Sequence, residues 1–117
     1  MVVEYIRYRV PEKRRADFEP AYERAAEALR AAPQCVDYEL SRCADDPGCY
    51  ILRITWTSAD DHLRGFRGGP VFGRFFAAVK PFVEDIEEMR HYHRTSVAGR
   101  GGAALPDIDT TARTRVP

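Results

Sequence analysis

At 117 residues the chain is the size of one domain, and 44% hydrophobic residues give it enough apolar surface for a single core. Lys plus Arg and Asp plus Glu each number 18, so the formal net charge is zero and no global field draws the chain to nucleic acid or to a membrane surface. The opening MVVEYIRYRV is broken by Glu4, Arg7 and Arg9, unlike a signal peptide, and nothing later approaches the ~20 apolar residues of a membrane span, so a cytoplasmic location is expected.

Val2 to Val10 reads as a strand, rich in β-branched and aromatic residues and ended by Pro11. From Lys13 to Ala32, Phe18, Ala21, Tyr22, Ala25, Ala28, Leu29 and Ala32 recur at spacings of three and four, which predicts a helix with one apolar stripe. Pro20 conflicts with that pattern and predicts either a kink or a later start; Pro33 closes the helix. Val36 to Arg42 alternates, with Val36, Tyr38 and Leu40 on the apolar side. After the turn ADDPG, Tyr50 to Thr57 places Tyr50, Leu52, Ile54 and Trp56 on one face, so the two runs predict an antiparallel hairpin.

Ser58 fits an N-cap for a helix from Ala59 to about Phe66, with Asp60 and Asp61 in its first turn. Gly68 and Gly69 stop it, and Pro70 opens another helix carrying Val71, Phe72, Phe75, Phe76 and Val79. Pro81 should kink or end that helix, although apolar residues continue at Phe82, Val83 and Ile86. Met89 to Arg94 suits a last strand. From Ser96 the chain is rich in Gly, Ala, Thr and Pro and lacks aromatic residues, so residues 1–95 are expected to form the domain and 96–117 a flexible tail.

The order is βαββααβ, a ferredoxin-like split βαβ of the α+β class with a four-stranded antiparallel sheet. Helices would cover one sheet face, and the other, mixed in Tyr, Ile, Thr and Arg, would be buried by a second copy, giving a homodimer through sheet faces. Cys35, Cys43 and Cys49 form no CxxC pair; Cys43 and Cys49 flank the hairpin turn, where a bridge is conceivable, but free thiols suit a reducing cytosol. His91 and His93 alternate on one strand face without a visible third ligand, so no metal site is expected.

Three stretches, YRVPEKRRADFEPAY, DYELSRCADDPGCYILRITWTSADDH and PVFGRFFAAVKPFV, resemble the antibiotic biosynthesis monooxygenase domains of the dimeric α+β barrel superfamily, over nearly all of residues 3 to 94. The resemblance implies a pocket in each subunit of a dimer, between helices and sheet. Some members oxygenate polycyclic phenols or anthrones to quinones with molecular oxygen as cosubstrate and no cofactor; other relatives in the superfamily degrade haem. The haem-degrading relatives use a first-strand Asn, a Trp like Trp56 and a last-helix His; here Tyr5 and Phe76 are aligned with the Asn and the His. The oxygenases rely on an Asn near the Trp strand, and this chain contains no Asn.

Cofactor-free oxygenation needs a base for a phenol, donors for the oxyanion, and exclusion of water. Trp56, Phe66, Phe72, Phe75, Phe76 and Tyr50 are the expected walls for a hydrophobic aromatic small molecule, and His62, Tyr38 and Tyr5 the expected catalytic groups. Each also has a plainer role: Trp56 and the Phe stripe as core, His62 as a solvated residue beside two Asp. The alternative function is a noncatalytic dimeric module that binds a small ligand or a protein.

Overall fold

The computed structural model describes residues 1–104, so the tail expected over 96–117 lies outside the described residues from position 105. Strands β1 (Val2–Arg9), β2 (Cys35–Arg42), β3 (Cys49–Trp56) and β4 (Ile86–His93) make a four-stranded antiparallel sheet in the order β2-β3-β1-β4. Because β3 runs antiparallel to both β1 and β2, those two are parallel with β3 between them, which is the split βαβ expected. Helices α1 (Arg15–Ala31) and α2 (Phe72–Val79) pack on each other and contribute their apolar sides to the core on one sheet face.

α1 starts two residues later than the apolar pattern predicts, because a short 3₁₀ turn over Glu12–Arg14 first carries the chain away from Pro11. Pro20 stays inside the helix without ending it. Proline removes one backbone donor, but Phe18, Ala21, Tyr22, Ala25, Ala28 and Leu29, all buried, hold the stripe on the sheet across that gap. Phe18 is the hub: its ring lies 4.9 Å from Tyr8, 5.2 Å from Tyr22, 4.5 Å from Tyr50 and 5.0 Å from Phe82, centroid to centroid. Fully burying such a ring contributes roughly 1.5–3 kcal/mol.

The strand alternation fixes which residues meet the helices. On β1, Glu4, Ile6 and Tyr8 face inward with Val2, while Tyr5, Arg7 and Arg9 face out. On β2 the register shifts between Cys35 and Asp37, and Val36 bulges out to 48% exposure instead of facing the core. Pro81 does end α2: a 3₁₀ turn over Lys80–Asp85 follows, and β4 begins at Ile86 rather than Met89. That turn is pinned by Arg14, whose guanidinium donates to the Pro81 carbonyl at 3.0 Å and to Asp85 at 2.7 Å. All three cysteines are free thiols.

Candidate functional site

β1, β3 and β4 bring three inward-facing residues side by side: Glu4 pairs with Ile54 on one flank and His91 on the other, and Trp56 lies at the end of β3. The chain then turns. Ser58 caps the turn as expected, its hydroxyl accepting the Asp61 amide at 2.9 Å, but the helix that follows winds as a π turn over Asp61–Phe66, closed by the Arg67 amide on the His62 carbonyl at 3.1 Å. This wider turn carries His62 and Phe66 inward together, 3% and 2% exposed.

His62 is therefore not a solvated residue. Its ring stacks on Trp56, centroids 4.4 Å apart and planes 11° from parallel, while the indole Nε1–H donates to Glu4 Oε1 at 3.1 Å. His62 Nδ1 and His91 Nε2 share a hydrogen at 2.7 Å, His62 Nε2 lies 3.5 Å from Glu4 Oε1, and His91 Nε2 lies 3.9 Å from Glu4 Oε2. Glu4 and His62 are almost fully buried; the His91 side chain is 30% exposed and joins the cluster to solvent. Burial first, then the positive charge of Arg67 and His91, pushes the His62 imidazole down to about 4, so the ring is neutral at pH 7. Burial raises the Glu4 carboxyl, against the opposing pull of the Trp56 N–H, His91 and Arg67.

Glu4, Trp56 and His62 form the floor of a cavity of about 380 Å³, with His91 just behind them. Trp56, Phe66, Phe72, Phe75 and Phe76 line it, and Phe76, Val83 and Met89, each 40% exposed or more, stand at its mouth. Arg67 also lines it and makes no ion pair or side-chain hydrogen bond among the described residues.

Three expected site residues lie elsewhere. Tyr5 faces outward, 40% exposed and edge-on to Tyr92, because its strand parity is that of Arg7 and Arg9. The first-strand residues that line the cavity are Glu4, Ile6 and Tyr8, and Tyr5 is not among them. Tyr38 accepts from Arg30 at 2.9 Å in a groove beside α1, and Tyr50 packs on Phe18 with its hydroxyl donating to Glu19 at 3.3 Å. Glu4 and Arg67 are not among the residues the sequence reading singles out, and His91, weighed there only as a partner of His93, instead meets His62. Glu4 was readable, since it shares parity with Ile6, Tyr8 and Val10; His91 needed the β1–β4 register.

The antibiotic biosynthesis monooxygenase family model matches residues 1–78, and the chain belongs to that family. A Bacillus subtilis protein of uncharacterised function, YczJ, is 26% identical over 92 residues, covering 79% of this chain and 97% of its own. Among solved structures, a Bordetella bronchiseptica protein of the same monooxygenase type is 26% identical with a TM-score of 0.65, covering 80% of this chain and 96% of its own. SnoaB, described as a cofactor-independent oxygenase of Streptomyces nogalater, shares the fold at 23% identity and a TM-score of 0.64, covering 84% of this chain and 94% of its own. No helix among the described residues is long and apolar enough to cross a membrane.

Proposed function

We propose that this chain is a cofactor-independent monooxygenase that oxidises a polycyclic or quinol-type aromatic substrate with molecular oxygen in the cavity walled by Trp56. The observation that carries the reading is the cavity itself: aromatic walls with one buried polar end, Glu4 and His62, ordered by a single indole. Flat aromatic substrates stack on such walls, and the absence of bulk water protects reactive oxygen intermediates.

In this reading the phenol or enol proton of the substrate passes to the Glu4–His62 pair and leaves through His91 at the surface. The Arg67 guanidinium stabilises the substrate oxyanion. That anion gives one electron to oxygen, the substrate radical and superoxide combine to a peroxide, and the peroxide loses water. For an anthrone, a CH₂ becomes C=O, with one oxygen atom retained and the other released as water. The second copy expected of the family covers the outer sheet face, where Tyr5, Ile51 and Tyr92 are exposed.

The test is oxygen uptake with an anthrone or a dihydroquinone, in the presence of a chelator, against the protein-free rate. Uptake well above that rate, at least tenfold lower in His62→Gln and in Trp56→Phe, is expected. Tight binding, seen as quenching of the single Trp, with no uptake would make the chain a noncatalytic binding module instead.

A further inference from the structure

The cluster that Glu4 and His62 at the cavity floor make with His91 behind them has a composition that proton transfer alone does not require. Two imidazoles and one carboxylate offer ligand atoms that all lie within 4.8 Å of one another, on three different elements: β1, the π turn and β4. Nitrogens that each bond an ion at about 2.0–2.1 Å stand about 3.0–3.4 Å apart. His62 Nδ1 and His91 Nε2, at 2.7 Å, need only a small opening to reach that spacing, and Glu4 Oε2, at 3.9 Å from His91 Nε2, a small closing.

We propose that Glu4, His62 and His91 form a binding site for one divalent transition-metal ion of the zinc or iron class, with the remaining coordination positions open to the aromatic cavity. Two imidazole nitrogens with one carboxylate suit such an ion better than Mg²⁺ or Ca²⁺, which take oxygen donors. The Trp56 N–H on Glu4 Oε1 and the Trp56–His62 stack fix two of the three ligands in place, the role outer partners play in metal sites. Binding needs both facing lone pairs, so the hydrogen now shared between the rings moves to the other nitrogen of its ring. The two buried ligands restrict entry to the His91 side and to the cavity mouth.

The site rests on no part of the oxygenase reading. An ion there would occupy the lone pairs that reading uses, which is why oxygen uptake is measured with a chelator and metal binding without substrate. The full chain, stripped with chelator and dialysed, is titrated with Co²⁺ and followed by its visible d–d bands, and with Zn²⁺ by calorimetry. One equivalent per chain is expected, with affinity at least tenfold weaker in His91→Ala and in Glu4→Gln, and unchanged in His93→Ala, a substitution at an exposed histidine of the same strand. His91 is partly exposed, so His91→Ala keeps a folded protein even where Glu4→Gln does not; circular dichroism checks each variant. No saturable binding, or binding that survives His91→Ala, or binding that His93→Ala abolishes, would overturn the proposal.

Discussion

Glu4 has one strong neutral donor in the Trp56 indole, and that dependence decides what the tryptophan is for. Trp56→Phe keeps most of the apolar volume but strips the donor from a buried carboxyl, whose loss of a hydrogen bond costs roughly 1.5–3 kcal/mol. With the stack on His62 also weakened, urea unfolding should show a loss of about 2–4 kcal/mol. Adding Glu4→Gln removes the carboxyl that had lost its donor, so the double variant should lose less than the sum of the single changes. The only Trp is gone in these variants, so circular dichroism must report the transition. Additive losses would mean the indole and the carboxyl do not act as a pair. A second residue-scale prediction concerns Tyr8 and Tyr22, whose hydroxyls touch inside the core. Burial pushes Tyr8 up to about 12 and Tyr22 well above its ordinary value. A phenol whose folded pKa exceeds the unfolded ~10 stabilises the fold below pH ~10, and that contribution is lost as pH rises towards ~12. The urea midpoint should therefore fall between about pH 10 and 12, less steeply when both are changed to Phe. A midpoint equally pH-dependent in the double Phe variant would sink this account.

At the scale of elements, the π turn between β3 and α2 is where reading from sequence and structure part company. The strands, α1 and the hairpin follow directly from alternation and from a stripe at helical spacing, and the Ser58 cap is where it was expected. His62 is different: with Asp60 and Asp61 before it, the local sequence suggests a wet first turn, and only the extra width of the turn swings it inward. Tight backbone returns behind it hold that width. An added Cβ at Gly68 would stand 2.6 Å from the Arg64 carbonyl oxygen, and one at Gly69 would collide with the Gly65 carbonyl oxygen. Gly69→Ala should therefore force the turn to shift, costing about 1–3 kcal/mol as overpacking does. Because Trp56 stacks on a residue of this turn, its fluorescence should move with the loss. Gly73→Ala, inside α2 where nothing lies within 4 Å, is the control and should leave the fluorescence unchanged and cost no stability. Equal effects at the two glycines would show that the turn is not held by these contacts.

For the whole molecule, topology was legible because connection order leaves few choices, whereas the cluster of Glu4, His62 and His91 was not. Its members lie 58 and 29 positions apart along the chain. Only the pairing of β1 with β4 sets Glu4 beside His91, so a histidine that looks isolated in sequence gains its third neighbour from the fold. The same pairing lays out the opposite sheet face, and with it the last prediction. Most of its charges are matched within the chain: Arg53 with Asp37 at 2.9 Å, Arg90 with Glu88 at 3.0 Å, and Arg7 with Glu87 at 3.7 Å, while Arg94 at the end of β4 makes no ion pair among the described residues. That leaves Tyr5, Ile51 and Tyr92, each 40–46% exposed, as apolar surface on a face where most charges are already paired. A second copy can cover Tyr5, Ile51 and Tyr92 while the paired charges stay paired, and stranded charge is the condition that most limits burial of such faces. Sedimentation velocity should find a dimer, and Ile51→Asp with Tyr92→Asp should raise its dissociation constant by about a hundredfold, since each introduces an unpaired carboxylate into the covered face. Glu27→Lys on the exposed side of α1, across the sheet from this face, should change nothing. A monomeric parent protein, or a dimer indifferent to the two Asp substitutions, would place any association on another surface and leave Tyr5 and Tyr92 as solvent-facing residues.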